Sequence, residues 1–254
     1  MEKVLLTVLA SIVFIITSHA QTTGSLAQGV FNYSQQANVP TNGDLNKLMV
    51  YDNYKNGNQQ TYFFSENWSQ GMLYINQMSG LKLYRGYPIR FDLGNQVVFL
   101  KLRSNDGVGS IGTPSKMILL DETKLKSFVL NNPVTGEPHY FERCKEYNTG
   151  KKMLGFFEIL YKGKDLKLLK RVETQIVQVM NIGQSTEKAI RKDAYYVSFK
   201  GKTVKMRRSK KFILNLFKDK RAEMKKFIKD NRLSTRKEAS LTSIFAYYNA
   251  MTSK

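Results

Sequence analysis

Between residues 62 and 208, aliphatic and aromatic side chains recur in short runs, each bounded by glycine, proline or polar residues. That punctuation admits little other than short strands. The runs fall at 62–64, 72–75, 81–84, 89–93, 97–102, 116–120, 124–130, 139–141, 155–161, 166–172, 194–199 and 203–208. Several breaks have hairpin chemistry: Gly94, Asn95 and Gln96 in one, Gly163 with Lys164 and Asp165 in another, and Gly201 between Lys200 and Lys202 in a third. In the last pair the period is two, because Tyr195, Val197 and Phe199 share one face while Val204 and Met206 alternate with Lys205 and Arg207. Local hairpins of this kind predict an antiparallel meander or a sandwich-like sheet.

Past Ser209 the period lengthens. Phe212, Ile213, Leu216, Phe217, Met224, Phe227 and Ile228 follow helical spacing, with no glycine or proline among them, and Asn231 is placed to close that helix. Thr235 then opens a second helix, with Glu238 three residues on as the partner in a capping box. Leu241, Ile244, Phe245 and Tyr248 form one apolar stripe along it. The expected class is mainly β (α+β), with an antiparallel β domain over 61–211 and a C-terminal helical pair over 212–254 packed on it.

The first 20 residues have the layout of a cleavable signal peptide. Lys3 precedes an uncharged stretch over 4–17, and Ser18 and Ala20 are small residues at the −3 and −1 positions before Gln21. The stretch is shorter than the roughly 20 apolar residues that cross a bilayer, and no later stretch reaches that length. Export to the periplasm or beyond is therefore expected, with no transmembrane segment after cleavage. Residues 21–60 carry 13 Asn or Gln and read as a polar leader.

Charge is distributed unevenly. The chain carries 40 Lys and Arg against 20 Asp and Glu, a net charge of +20, and residues 145–254 hold 28 and 10 of these. Such a field draws anionic partners. The residues expected to make that contact are Lys205, Arg207, Arg208, Lys210, Lys211, Lys218, Arg221 and Lys225. For an exported chain the partner is an anionic envelope component or an acidic protein, and nucleic acid is disfavoured.

Motifs for other chemistry are weak. Cys144 is the one cysteine, and His139 is the one histidine beyond residue 20, so neither an internal disulfide nor a zinc site is supported. Gly107, Gly109 and Gly112 have the letter spacing of a dinucleotide fingerprint, but Pro114 and the strand-like 116–120 deny it the helix that the motif needs. No cofactor is expected. Paired carboxylates for glycoside hydrolysis could come from Glu66, Asp92, Asp121, Glu122, Glu137, Glu142 and Glu158, though spacing does not bring any two together. Trp68, Tyr84 and Tyr87 could stack on a sugar or fill the core.

The stretch beginning Gly86, Tyr87, Pro88, Ile89, Arg90 is followed in order by the run at Leu125, the run at Gly155, and Ala246, Tyr247, Tyr248, Asn249. Over roughly residues 80–250, this order resembles a group of uncharacterised exported proteins of Gram-negative bacteria. The resemblance implies envelope processing and no particular activity. The expected role is a non-catalytic binding or assembly component acting through the basic C-terminal half, and the alternative is a carboxylate-based hydrolase acting on a polysaccharide.

Overall fold

A computed structural model describes residues 62–101, 117–120, 123–181 and 184–252. The expected signal peptide, the polar leader, the glycine triplet at 107–112 and the acids Asp121 and Glu122 lie outside the described residues.

The strand runs form one antiparallel sheet, except the run at 62–64, where Phe63 makes only an isolated bridge to Asp92. Its members are β1 (Ser69–Gln77), β2 (Gly80–Asp92), β3 (Val97–Lys101), β4 (Met117–Leu120), β5 (Leu125–Asn131), β6 (Pro138–Arg143), β7 (Phe156–Lys162), β8 (Leu166–Asn181), β9 (Gln184–Phe199) and β10 (Lys202–Lys205). They lie in the order β10-β9-β8-β7-β6-β5-β1-β2-β3-β4. Two meanders, β1 to β4 and β5 to β10, thus meet along a β1–β5 seam. The architecture is a single sheet rather than a sandwich of two.

Two strand boundaries differ from expectation. The runs at 81–84 and 89–93 belong to the same strand, β2. Gly86, which reads as a break, is the extra residue of a bulge: Met72 pairs with Arg85 and Gly71 with Tyr87, while Gly86 takes a φ of 78°. The runs at 166–172 and 194–199 are only the inner halves of β8 and β9, which stay paired out to Asn181 and Gln184.

The sheet curls back on itself. Gln96, in the β2–β3 turn, donates to the Val172 carbonyl of β8 at 3.0 Å and accepts from the Phe156 N–H of β7 at 3.3 Å. Inside the curl, Phe91, Phe128, Phe141 and Phe156 form an aromatic core, with Phe128 stacked on Phe141 at 4.6 Å. Tyr84 is buried in that core and Tyr87 packs against it, so both serve packing. Trp68 is half-buried, with the Arg90 guanidinium 5.4 Å from its ring.

A second core joins the sheet to three helices, α1 (Lys210–Leu216), α2 (Arg221–Asp230) and α3 (Glu238–Thr252). Alternation sends Leu168, Tyr195 and Val197 toward the helices, while Leu169 and Tyr196 point the other way into a third cluster with Cys144, Tyr147 and Phe157. Ser209 caps α1 by accepting from the Phe212 N–H. The helix expected over 212–228 breaks at Phe217, whose φ and ψ are −103° and 47°, and a 3-10 turn over Lys218–Lys220 separates α1 from α2. The physical reason is packing. Phe217 is fully buried and stacks on Tyr248 at 4.0 Å, so the chain turns to seat it. Asn231 does close α2, with its side-chain amide on the Phe227 carbonyl. The capping box at Thr235 does not form. Thr235 donates to the Arg208 carbonyl instead, and α3 begins at Glu238 itself.

Candidate functional site

The basic residues expected from the sequence are all exposed, but Lys205, paired with Tyr196, is on the sheet face turned away from the helices, while the other seven lie on or beside the helical layer. Lys205 ends β10, Arg207 and Arg208 lie on the link to α1, Lys210 and Lys211 open α1, Lys218 lies on the 3-10 turn, and Arg221 and Lys225 lie on α2. Arg221 and Lys225 are four residues apart, and Lys229 continues the same ridge, so three cations share one line along α2. Arg208 has a structural role as well. Its guanidinium lies 4.4 Å from the Tyr195 ring and donates to the Arg236 carbonyl at 3.0 Å.

Lys210 is the member of that set which lines a groove. The groove, of about 560 Å³, lies between the start of α1, the end of α2 and the turn into α3, and Lys229, Arg232 and Arg236 line it with Lys210. Ser234 and Thr235 add hydroxyls, and no carboxylate lines it. Arg232 sits in a left-handed turn with a φ of 50° just past the α2 cap. Arg232 and Arg236 are absent from the sequence-derived set. The signal for them was present, because the cationic run does not stop at Lys229. Over 202–237 the chain has 15 Lys and Arg against only Asp219, Glu223 and Asp230. Asp219 is already engaged by the Tyr248 hydroxyl at 3.1 Å, and Glu223 has Lys220 3.8 Å away.

The acids are placed differently. Asp92 is buried and caps the β2–β3 turn, accepting from the Gly94 N–H at 2.8 Å. Glu66 and Glu137 are exposed. Glu142 and Glu158 point to opposite faces of the sheet, since Phe141 pairs with Glu158 and Glu142 with Phe157. Each is neutralised by lysine. Glu142 has Lys162 at 3.1 Å and Lys167 at 3.0 Å, and accepts from the Tyr147 hydroxyl. Burial pushes the Glu142 carboxyl up, but the two lysine charges and Tyr147 outweigh burial and hold it below the usual carboxylate range. The Tyr147 phenol, buried beside that negative charge, is driven upward.

Glu158 sits at the centre of a polar chain between the aromatic core and the helical core. His139 Nδ1 donates to its Oε1 at 2.7 Å, and Lys170 Nζ lies 2.8 Å from its Oε2. Lys170 also reaches Glu238 of α3 at 3.2 Å, and Glu238 accepts from the Tyr195 hydroxyl. Here too burial raises the carboxyl, while the His139 hydrogen bond and the Lys170 charge together pull it below its ordinary value. Lys170 responds in mirror image: burial lowers it, and the carboxylates, Glu158 first, raise it further. Held as an ion pair and only 4% exposed, the Glu158 carboxylate has neither the proton nor the access of a general acid. Its arrangement ties α3 to the sheet.

His139 and Cys144 do not meet. His139 faces Glu158, whereas the buried Cys144 thiol is 3.0 Å from Arg171 Nη1 in the third cluster. Among the described residues no group of three His, Cys, Asp or Glu side chains could hold a metal ion. Among those residues, too, no helix is long and apolar enough to cross a membrane. Compared with protein-family models, with curated proteins and with solved structures, the chain matches none.

Proposed function

We propose that this protein is a non-catalytic binding component of the bacterial envelope, exported and then held to an anionic surface by its helical layer. One observation carries the reading: the run over 202–237 holds 15 cations against three acids, and the turns between its helices gather Lys210, Lys229, Arg232 and Arg236 around an open groove that no carboxylate lines. Lysine and arginine on an open, shallow surface recognise charge density rather than a particular small molecule. The chemistry suits the phosphates of anionic lipid headgroups, each basic residue near such a surface contributing about 1 kcal/mol.

The test is cosedimentation with vesicles. Vesicles containing phosphatidylglycerol should bind the protein at low ionic strength and release it as salt approaches physiological levels, whereas vesicles of neutral lipid should not bind. Reversing Arg232 and Arg236 together to Glu should reduce binding about thirtyfold or more, since two contacts of about 1 kcal/mol each are lost and two repulsions are added. Equal binding to neutral vesicles, or binding insensitive to salt, would defeat the proposal.

A further inference from the structure

The outer parts of β8 and β9 form an arm. The two strands pair continuously from Leu166 with Phe199 to Asn181 with Gln184. Their outer neighbours stop much earlier, since β7 pairs with β8 no farther out than Lys170 and β10 pairs with β9 no farther than Tyr196. The carbonyl of Val172 is taken by Gln96, which marks where β8 leaves the sheet. From Glu173 to Asn181, among the described residues, β8 has β9 as its only strand partner. Ile176, Met180 and Ile190 on the arm are 64%, 88% and 40% exposed.

The two edges of this arm are not alike. The outer half of β9 carries Glu187, Lys188, Arg191, Lys192 and Asp193, charges of the kind that guard an open edge against pairing. The stretch 174–181 on β8 carries none, and four of its eight residues, Thr174, Ile176, Val177 and Val179, are β-branched. It has no proline and no glycine either. An edge without such protection is receptive to strand addition.

Charge selects the occupant. The protein carries +20, yet residues 173–193 hold three Lys or Arg against three Asp or Glu, so the arm is neutral. Two copies of so basic a chain repel at their helical layers and can approach at the arm. We infer that a second copy of this chain adds to the β8 edge, antiparallel and two-fold symmetric about Val177. In that register Ile176 lies opposite Gln178 of the second copy, Thr174 opposite Met180, and Glu173 opposite Asn181, so no like charges meet. The product is a four-stranded ribbon, β9-β8-β8-β9, with a charged β9 at each end. Two strands alone are marginal in water and four are not. The charged ends also close the assembly at two copies.

Sedimentation velocity of the full chain tests this over a concentration series, in salt high enough to screen the basic layers. The wild type should show a monomer–dimer equilibrium. Ile176→Lys with Gln178→Lys places lysine opposite lysine at both symmetric positions and should leave monomer. Ile176→Glu with Gln178→Glu should do the same, and mixing the two variants in equal amounts should restore dimer. Ser185→Lys, on the guarded strand of the same arm, should keep the dimer. A wild type that stays monomeric throughout overturns the inference. So does a dimer that survives the double lysine change, a mixture that fails to reassociate, or growth into larger species.

Discussion

Replacing Lys170 with Met should be far more damaging than the loss of a surface charge. Lys170 and Glu158 side chains are 6% and 4% exposed, and Nζ and Oε2 are 2.8 Å apart. At an effective dielectric of about 20 the gross attraction at that separation is about 6 kcal/mol, most of it offset by taking both ions out of water. The pair's net contribution is therefore small, but removing one member strands the other. A lone buried carboxylate, with only His139 still on it, costs about 3–5 kcal/mol. That is a large share of a total stability of about 5–15 kcal/mol. Urea denaturation followed by circular dichroism reads the loss directly. The pH dependence supplies the sign. In the wild type the Glu158 carboxyl is depressed, so its contribution is present above the unfolded carboxylate value and is lost as pH falls through the folded value. In Lys170→Met, burial without the lysine favours the protonated acid, so the gap between variant and wild type should narrow on acidification. Adding Glu158→Gln to the variant should recover part of the loss at neutral pH. A single variant within about 1 kcal/mol of wild type, or a gap unchanged from neutral to acid pH, would refute the account of Glu158 as a charge held by Lys170.

Other consequences are simpler to test. A Cβ at Gly71 would lie 2.3 Å from Ile89 Cδ1 and 2.4 Å from the Val129 carbonyl oxygen, so Gly71→Ala should cost about 1–3 kcal/mol in urea stability by forcing the β1–β5 seam apart. Phe217→Ala empties the space between Tyr248 and Phe245, whose rings are 4.0 and 5.3 Å away, and should cost about 3–5 kcal/mol with loss of near-ultraviolet dichroism. The Tyr248 phenol is raised to about 12 by burial and by its hydrogen bond to Asp219. Its contribution is present below the unfolded tyrosine value of about 10 and lost as pH rises through the folded one. Tyr248→Phe should therefore flatten the alkaline limb of a stability–pH curve, and an unchanged limb would count against the hydrogen bond.

The strands of the inner sheet were legible because each presents a compact apolar run to a core. The arm was not. Beyond Val172 the polar Glu173, Thr174 and Gln175 interrupt the pattern, so the run Ile176, Val177, Val179, Met180 that follows was not joined to the strand before it. The break at Phe217 could have been seen, because no apolar residue but Ala222 falls between Phe217 and Met224 and a continuous amphipathic helix would need one. The last helix was read as opening at Thr235 with Glu238 as the capping-box partner, whereas it opens at Glu238, whose carboxylate is drawn to the buried Lys170, a long-range fact. The basic face was legible as charge, but the gathering of Lys210 with Arg232 and Arg236 depends on how the helices turn. The His139, Glu158 and Lys170 chain required the registers of β6, β7 and β8. What the residues did offer was a glutamate and a lysine each embedded in an apolar run, which is where a buried ion pair should be sought.

The β1–β5 seam has a consequence for how the molecule forms. Of the nine strand pairings among the described residues, it alone joins strands that are not successive in the chain. Every other ladder joins strands that follow one another in the chain, which keeps sequence separation low and favours rapid folding for a β protein. Each meander can therefore build up separately, and the rate at which the whole sheet appears should be governed by a single loop closure, the one that brings Val129 alongside Met72.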